Sequence, residues 1–406
     1  MSAFSTIHVP NILLPKKGVD LTKFAVIACD QFTSQKEYWD QLDTLIGQSA
    51  STLRMIFPEA YLPLVDNQSY IKKINSTIEN YLQENVLENI GPAFILVERS
   101  TPYTKRRLGL VIAIDLEDYS FQKGSQTLIR ATEMTILERI PPRLKIREHA
   151  PVELPHTLVL YDDPDKNIIE KLYNERANLP LIYDFELNQD GGHLRGYKVS
   201  DTAAVIDAFE QLLAKKAEAL LFVVGDGNHS LATAKAHWDK IKELLSEADR
   251  KKHPARYALV EVNNLYDEGI NFAPIHRIVF NASEDFIPGL KSRLTGGQTG
   301  IIYTLKTGEI KQPMPKSGPQ AYKIVQDYID QYMQSHPQAS VDYIHGRDHL
   351  YAVANKHPNA VAIAMPALSK SDLFVYIASD DVLPRKSFSL GEACEKRYYL
   401  ECQKII

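Results

Sequence analysis

Apolar residues in the first part of the chain recur at helical spacing. Between residues 69 and 87 they return every three or four positions, which predicts an amphipathic helix. These residues are Ile71, Ile74, Ile78, Leu82 and Val86. A second helical pattern covers residues 35–46, and Gly91-Pro92 ends the region. We therefore predict a helix-rich N-terminal segment over residues 1–92.

Short apolar runs alternate with helical patterns from residue 93 to residue 280. The runs predicted as strands are Ala93–Val97, Leu108–Asp115, Leu158–Tyr161, Leu181–Glu186, Leu220–Val224 and Arg256–Val262. The predicted helices are Ala203–Lys216, which opens after Ser200-Asp201, and Leu231–Leu245. The first two runs are expected to form a hairpin. This alternation predicts an α/β core over residues 93–280.

Residues 281–406 mix both patterns. We predict strands at Ile301–Leu305, Leu350–Ala354 and Val361–Met365, and helices at Gln320–Gln334 and Leu390–Lys404. This region is therefore expected to be α+β, and the whole chain is expected to be an α/β protein that is α+β overall. Its 406 residues suffice for two to three domains of roughly 100–200 residues each.

Composition and charge disfavour several classes of protein. Lys and Arg number 46 against 51 Asp and Glu, giving a net charge of −5, unlike the basic surface of a general nucleic-acid binder. No apolar run approaches the ~18 residues of a membrane span, and residues 1–17 do not resemble a secretory signal. Three cysteines without a paired motif favour a reducing compartment. We expect a cytoplasmic protein without nucleic-acid or membrane partners, and its oligomeric state is open.

The strongest local signal is a strand that runs through a glycine turn into a helix. Leu220–Val224 is followed by Gly225-Asp226-Gly227, and the helical pattern begins within a few residues. The first turn of a helix presents unpaired N–H groups and a partial positive charge, which together bind phosphate. On spacing alone, an equally good interpretation is that Asn228 or Ser230 caps the helix and the glycines form the turn. Neither the P-loop nor the G-x-G-x-x-G pattern is present.

These residues carry a family resemblance. The stretch from Gly225 to Ala234 resembles the hallmark of a bacterial and archaeal family classified only as domain of unknown function 1015. Three further stretches fit the same family: Arg130-Ala-Thr-Glu-Met-Thr135, Pro274-Ile-His-Arg277 and Leu383-Pro-Arg-Lys-Ser-Phe-Ser389. Together they cover most of the chain, but the family name implies no activity.

The stretch Asp226-Gly-Asn-His229 is also similar to the phosphate-binding element of the ParB/sulfiredoxin superfamily, which implies a ParB-like mixed-sheet core. Free serine kinases of that superfamily carry Asp-Gly-His-His-Arg and an upstream catalytic His-Glu. The similarity implies phosphate binding at Gly225, Gly227, Asn228 and Ser230, and catalytic roles for Asp226, His229 and Glu133. Asn228 replaces the first histidine, Ser230 stands in place of the arginine, and Thr132 replaces the histidine beside Glu133.

The missing arginine requires another source of positive charge. Arg143 and Arg147 are four residues apart and share a face in either a helix or a strand, so both guanidinium groups are candidates to hold phosphate. A solvated face paired with Glu138 and Glu148 is the alternative. Further candidates, raised by the family resemblance, are Arg130, Arg277, Arg385 and Lys386.

These features favour a phosphotransferase that acts on a small phosphorylated metabolite. By the serine-kinase resemblance, the substrates are serine or phosphoserine with a nucleotide or pyrophosphate. Phosphoryl transfer requires aligned and neutralised phosphates and a base beside the attacking hydroxyl. Mg²⁺ held by Asp226 and a base at Glu133 would meet these needs. The alternative is a non-catalytic nucleotide- or phosphate-binding regulator, whereas a DNA-binding switch is disfavoured because the chain has no basic domain.

Overall fold

A computed structural model describes residues 5–379 and 382–406. The chain forms two compact units. The first contains the residues up to 131, residues 135–270 and residues 391–406, and the second contains residues 132–134 and 271–390. The first unit is therefore assembled from three separate parts of the chain.

The strands and helices of the described residues are numbered here in chain order. The strands are β1 Ile7–His8, β2 Asn11–Pro15, β3 Val26–Ile27, β4 Leu87–Pro92, β5 Phe94–Ser100, β6 Arg107–Asp115, β7 Tyr119–Ser120, β8 Ile129–Ala131, β9 Val152–Glu153, β10 Leu158–Tyr161, β11 Leu181–Glu186, β12 His193–Val199, β13 Phe222–Asp226, β14 Tyr257–Asn264, β15 Phe272–Phe280, β16 Gln298–Thr304, β17 Gly308–Met314, β18 Ser340–His345, β19 Val361–Ala364, β20 Phe388–Leu390, β21 Tyr398–Tyr399 and β22 Gln403–Lys404. The helices are α1 Leu21–Phe24, α2 Lys36–Ile46, α3 Asn67–Gln83, α4 Ile140–Arg147, α5 Ile169–Asn174, α6 Thr202–Ala214, α7 Asn228–Lys242, α8 Glu247–Arg250, α9 Phe286–Arg293, α10 Gly318–Ser335, α11 Arg347–Ala354 and α12 Lys370–Ala378.

A large mixed sheet forms the centre of the first unit. Its strand order is β11-β12-β5-β6-β14-β10-β13-β8-β7, and β1 pairs with β6. Most pairs are antiparallel, but β10 runs parallel to β14, β13 runs parallel to β8, and β7 runs parallel to β8. β13 thus lies between an antiparallel neighbour, β10, and a parallel one, β8.

Both faces of this sheet are covered, because successive side chains of a strand point to opposite faces. Along β5, Ile95 and Val97 join a core that also contains Trp39 of α2 and Ile78 of α3. The alternate residues of β5 join a second core with side chains of α5, α6 and α7. The sheet therefore lies between two helical layers, and α7 is packed against it by Leu231, Ala234 and Trp238.

The second unit has an antiparallel sheet with its own helices. The strand order is β17-β16-β19-β15-β18, and β20 pairs with the start of β15. Ile278 of β15 and Ala362 of β19 pack against Leu350 and Ala354 of α11. This sheet and its core are built from residues close together in sequence.

The predicted fold class is confirmed: the chain is a mixed α+β protein built around a large mixed sheet. The predicted hairpin corresponds to the antiparallel pair β5–β6. The predicted strands Leu158–Tyr161 and Leu181–Glu186 agree with β10 and β11. Asp201 caps α6, and its carboxylate accepts a hydrogen bond from the Ala204 N–H (3.3 Å).

Two predicted elements are wrong. Leu350–Ala354 is predicted as a strand but lies in helix α11, because Leu350 and Ala354 occur one helical turn apart and face the same core. Leu390–Lys404 is predicted as a helix but contains a 3₁₀ turn at Ala393–Glu395 and the strands β21 and β22. These strands obtain their hydrogen-bond partners from β3 and β9, which are distant in sequence.

Candidate phosphate-binding junction and associated charges

The junction between β13 and α7 has the geometry of a glycine-capped helix N-terminus. Gly225 and Asp226 end β13, and Gly227 is the capping residue in the left-handed conformation (φ 82°, ψ 27°). A Cβ atom at Gly227 would lie 3.0 Å from both Cα and Oγ1 of Thr157. A larger residue is therefore strained in both backbone and packing.

Helix α7 begins at Asn228, three residues before the predicted start at Leu231. Asn228 and Ser230 consequently lie within the first turn and do not occupy the capping position, so the capping interpretation of these two side chains is wrong. All residues from 225 to 230 are half-buried. The first turn of this 15-residue helix is thus partly accessible to solvent.

A lysine from the C-terminal part of the chain lies at this junction. The Lys396 Nζ is 3.3 Å from Asp226 Oδ2, and only 8% of the lysine side chain is exposed. Sequence analysis missed this residue, because it predicts the tail as a separate helix. No local pattern distinguishes Lys396 from other lysines, and only the tertiary structure brings it to Asp226.

The buried Arg99 guanidinium fixes the backbone that carries Lys396. Its Nη1 donates to the carbonyl oxygens of Lys396 (2.6 Å) and Glu395 (3.1 Å), and its Nη2 donates to that of Cys394 (2.7 Å). Burial, together with the adjacent Arg107, lowers the pKa of Arg99 to about 10. Three successive carbonyl groups thus converge on one cation, which makes the segment before β21 rigid.

His229 is oriented by a backbone hydrogen bond. Its Nε2 accepts from the Ile136 N–H at 3.2 Å. In the neutral ring the proton is therefore on Nδ1. The hydrogen bond thus fixes the tautomer of a neutral His229, and its catalytic role stays a prediction.

Arg143 and Arg147 both lie on α4, as the shared-face interpretation requires, but each is paired with a carboxylate. Arg143 pairs with Glu59, and Arg147 Nη2 lies 2.6 Å from Glu153 Oε2. These ion-pair partners differ from Glu138 and Glu148, which sequence analysis expected. Arg130 is buried in β8 and its Nε donates to the Thr127 carbonyl oxygen (3.0 Å). These three arginines are therefore engaged within the first unit.

Four other predicted site residues meet in the second unit. Glu133 Oε2 accepts from the Lys386 N–H (3.1 Å), and Glu133 Oε1 accepts from the Ser387 N–H (3.0 Å). Burial raises the pKa of Glu133 above its ordinary value, although these two N–H groups oppose the shift. The carboxylate therefore fastens the backbone turn at residues 386–387, where Lys386 has a positive φ of 58°.

Arg277 lies within the same cluster and is fully buried. It donates to the carbonyl oxygens of Ile275 (2.6 Å), Lys386 (3.0 Å) and Arg385 (3.3 Å). Its guanidinium also lies over the rings of Tyr322 and Tyr343, at 4.8 and 5.3 Å from their centroids.

Arg385 lies at the margin of this cluster, with its Nε donating to the Tyr343 hydroxyl (2.9 Å). Arg277, by contrast, directs its Nη1 and Nη2 donors to backbone carbonyl groups and its Nε to the Gln326 side-chain oxygen (3.4 Å). Within the second unit, Arg277 is therefore internal, whereas Arg385 is partly exposed.

The residues at the junction could bind a metal ion only together with phosphate oxygens, which would complete the coordination of the ion. Within residues 5–379 and 382–406, no three His, Cys, Asp or Glu side chains form a metal-binding group. Mg²⁺ commonly uses one or two carboxylates together with substrate phosphates and water. Asp226 can supply one such oxygen.

None of the described helices is long and apolar enough to cross a membrane.

Comparison with solved structures finds distant similarities. A free serine kinase in complex with AMP has a TM-score of 0.40 and 9% identity, covering 73% of this chain and 92% of that chain. A conserved hypothetical protein from Pyrococcus furiosus has a TM-score of 0.36 and 10% identity, covering 71% and 90%. SbnI with a C-terminal truncation, from Staphylococcus aureus, has a TM-score of 0.37 and 10% identity, covering 69% and 82%. At this level of similarity, these structures identify neither a ligand nor a reaction for this chain.

No curated protein matches the sequence. Residues 13–371 match the family described as "Protein of unknown function (DUF1015)". This match spans most of the chain and agrees with the resemblance carried by the Gly225–Ala234 stretch. The chain therefore belongs to the DUF1015 family.

Proposed function

We propose that the β13–α7 junction binds the phosphate group of a small metabolite and that the protein transfers a phosphoryl group. The observation that carries the proposal is the position of Lys396, whose ammonium lies beside the glycine-capped end of α7. A helix N-terminus and a lysine both favour an anion, and a low local dielectric strengthens each interaction.

Phosphoryl transfer imposes further requirements on the site. The phosphates must be held in line and their charge neutralised, and little covalent chemistry is required of the protein. A nucleotide or pyrophosphate is the proposed phosphoryl donor, and Mg²⁺ bound by Asp226 and the phosphates would neutralise charge. Serine or phosphoserine is the proposed partner substrate on the basis of the sequence resemblance.

Ligand screening of the intact protein tests the phosphate site. Thermal unfolding is measured with ATP, ADP, pyrophosphate, serine and phosphoserine, each with and without Mg²⁺. A ligand at about 100 times its Kd stabilises the folded state by about 2.7 kcal/mol. The proposal is contradicted if no phosphate compound raises the unfolding temperature. Mixtures of the ligands that bind are then followed by phosphorus NMR to detect transfer.

The Lys396→Met variant tests where the phosphate binds. We expect the affinity for pyrophosphate, measured by titration calorimetry, to fall about tenfold or more, because a charge-assisted hydrogen bond contributes about 1.5–3 kcal/mol. Lys252→Met removes an exposed lysine of the same unit and serves as the matched control. Equal affinities of the two variants would place the phosphate elsewhere.

A non-catalytic phosphate-binding regulator is the second candidate, and the surroundings of Glu133 favour it. Both carboxylate oxygens accept backbone N–H groups, as expected of a structural residue. The Glu133→Gln variant separates the two functions. Loss of transfer with retained ligand binding supports a catalytic role, and retained transfer removes Glu133 from the mechanism. Ligand binding without transfer in the wild-type protein supports the regulator.

A further inference from the structure

Asp30 is brought towards the junction by a short antiparallel ribbon. β3 pairs with β21, and the Ala28 N–H donates to the Arg397 carbonyl oxygen at 2.9 Å. Continuation of this register places Asp30 and Lys396 at the same end of the ribbon. Since Lys396 also contacts Asp226, two distant parts of the chain deliver a carboxylate and an ammonium to the end of β13.

His156 approaches this carboxylate from a second direction. Its Nε2 lies 3.9 Å from Asp30 Oδ2, and its Nδ1 lies 2.7 Å from the Tyr399 hydroxyl oxygen. Burial raises the pKa of Tyr399 far above its ordinary value, so the phenol keeps its proton. The phenol oxygen also accepts from the Cys29 N–H (3.2 Å), so the ring that holds Nδ1 is itself held by the backbone. Nδ1 of the imidazole therefore contacts Tyr399, and Nε2 lies on the side of Asp30.

His156 also lies close to the glycine cap. It precedes Thr157, the residue against which Gly227 is packed, and Leu158 of β10 pairs with Asp226. The imidazole is thus fixed at the edge where β13 ends. Asp30 and the helix N-terminus are thus linked through three consecutive residues, 156–158, the last of which begins β10.

Asp30 differs from the neighbouring carboxylates in its ion pairing. Glu59 is paired with Arg143, and Asp226 is paired with Lys396. Asp30 has only His156 as an ion-pair partner in the part of the chain that the structure describes. About 31% of its side chain is exposed, so one side of the carboxylate is accessible to a ligand.

The titratable and charged groups that face Asp30 come from several elements. They are Cys29, Glu59, Arg143, His156, Lys396 and Tyr399. Burial by itself would raise the pKa of Asp30, but His156, the Gln31 amide, Lys396 and Arg143 together outweigh burial, so the pKa is below its ordinary value. The carboxylate is therefore ionised at neutral pH.

We propose that Asp30 is a catalytic residue of the phosphate site, where its carboxylate accepts the proton of the hydroxyl group that receives the phosphoryl group. This inference rests on the proposed function. The hydroxyl oxygen forms a bond to phosphorus, the bond from phosphorus to the leaving oxygen breaks with its electron pair, and the hydroxyl proton passes to Asp30. The donor is a nucleoside triphosphate or pyrophosphate. His156 and Tyr399 are positioning residues.

The test compares Asp30→Asn with the control variant Asp165→Asn in the intact protein. Binding of ATP with Mg²⁺ is measured by calorimetry, and transfer to serine is followed by phosphorus NMR. Asp30→Asn should reduce transfer about 10²-fold or more while changing the ATP affinity by no more than about threefold. Asp165→Asn, which alters an exposed carboxylate in the same unit, should retain transfer.

The outcomes separate the two proposals. If the wild-type protein binds no phosphate compound or performs no transfer, both the transferase function and the role of Asp30 are overturned. If the wild-type protein transfers and Asp30→Asn does so equally well, only the role of Asp30 is overturned. Loss of transfer in Glu133→Gln but not in Asp30→Asn also overturns the role of Asp30.

The pH–rate profile of the His156→Gln variant distinguishes a positioning role of His156 from a purely structural one. Because His156 lowers the pKa of Asp30, its removal should raise that pKa and shift the acid limb of the pH–rate profile to higher pH. An unchanged acid limb in a folded His156→Gln protein would overturn the positioning role. Tyr399→Phe should shift the limb in the same direction by a smaller amount, because the imidazole remains.

Discussion

Charged groups have opposite surroundings in the two candidate regions. At the β13–α7 junction, residues 225–230 are half-buried and Asp30 keeps about 31% of its side chain exposed. In the Glu133 cluster of the second unit, Arg277 is fully buried and donates to backbone carbonyl groups. The first region leaves the Asp30 carboxylate accessible to a ligand, whereas the second uses charge to hold its own backbone. A charged residue type therefore indicates a site only when its donors or acceptors remain open.

The largest expected effect on the free energy of unfolding comes from removing the buried positive charge of Arg277. Arg277→Met leaves buried carbonyl groups without their donor, which should lower the free energy of unfolding by several kcal/mol, because each unsatisfied buried acceptor costs about 1–3 kcal/mol. Urea denaturation measures the change. Arg385→Met is the control, because 40% of the Arg385 side chain is exposed, and its effect should be much smaller. Equal losses for the two variants would contradict a structural role that is special to Arg277.

Gly227→Ala should have an intermediate effect on stability and a specific effect on binding. The left-handed conformation costs an alanine about 1–2 kcal/mol, and the new Cβ is placed 3.0 Å from Thr157. Gly124→Ala is a matched control, since Gly124 has a similar φ of +78° but no atom within 4 Å of the added Cβ.

Titration of pyrophosphate into both glycine variants completes that comparison. Gly227→Ala should weaken binding, because the added Cβ displaces the first turn of α7, and Gly124→Ala should leave it unchanged. Wild-type affinity in a folded Gly227→Ala protein would show that the cap does not shape the phosphate site.

The smallest effect concerns the pH dependence of stability in the Glu133 cluster. Burial raises the pKa of Glu133 above its ordinary value of 4.5, so the folded protein holds this proton more tightly than the unfolded chain. The contribution of Glu133 to stability is therefore present at low pH and decreases as pH rises from 4.5 through the raised pKa.

Urea denaturation of wild type and Glu133→Gln across that pH interval checks the sign. The free energy of unfolding of wild type relative to the variant should fall with increasing pH, by at most about 1.4 kcal/mol per pH unit. A difference that rises with pH would mean that the two backbone N–H groups outweigh burial.

Much of the secondary structure was predictable because its signals are local. The period of apolar residues indicates α2, α3 and α10, and continuous apolar runs indicate β10, β13 and β19. The tail is misassigned because its strands depend on partners from β3 and β9. A similar limit applies to Leu350–Ala354, where a short apolar run is compatible with either a strand or a helix.

The candidate site was predictable in part, for the same reason. The glycine turn and the helix start are encoded in contiguous residues from Gly225 to Ser230. Asp30 and Lys396 could not be found, because nothing in their local sequence marks them and they lie near opposite ends of the chain. The predicted arginines could be identified as charged residues, but their partners, such as Glu59 for Arg143, are set by packing.

The sequence by itself determined the family, the mixed α+β class and a helix N-terminus that follows a glycine turn. Each of these is encoded in consecutive residues, through apolar periodicity and the conformational freedom of Gly227. Tertiary structure decided which charges face that terminus and which are used within the fold. The physical reason is that strand pairing joins β3 to β21 across the length of the chain, so that Asp30, His156 and Lys396 become neighbours only after folding.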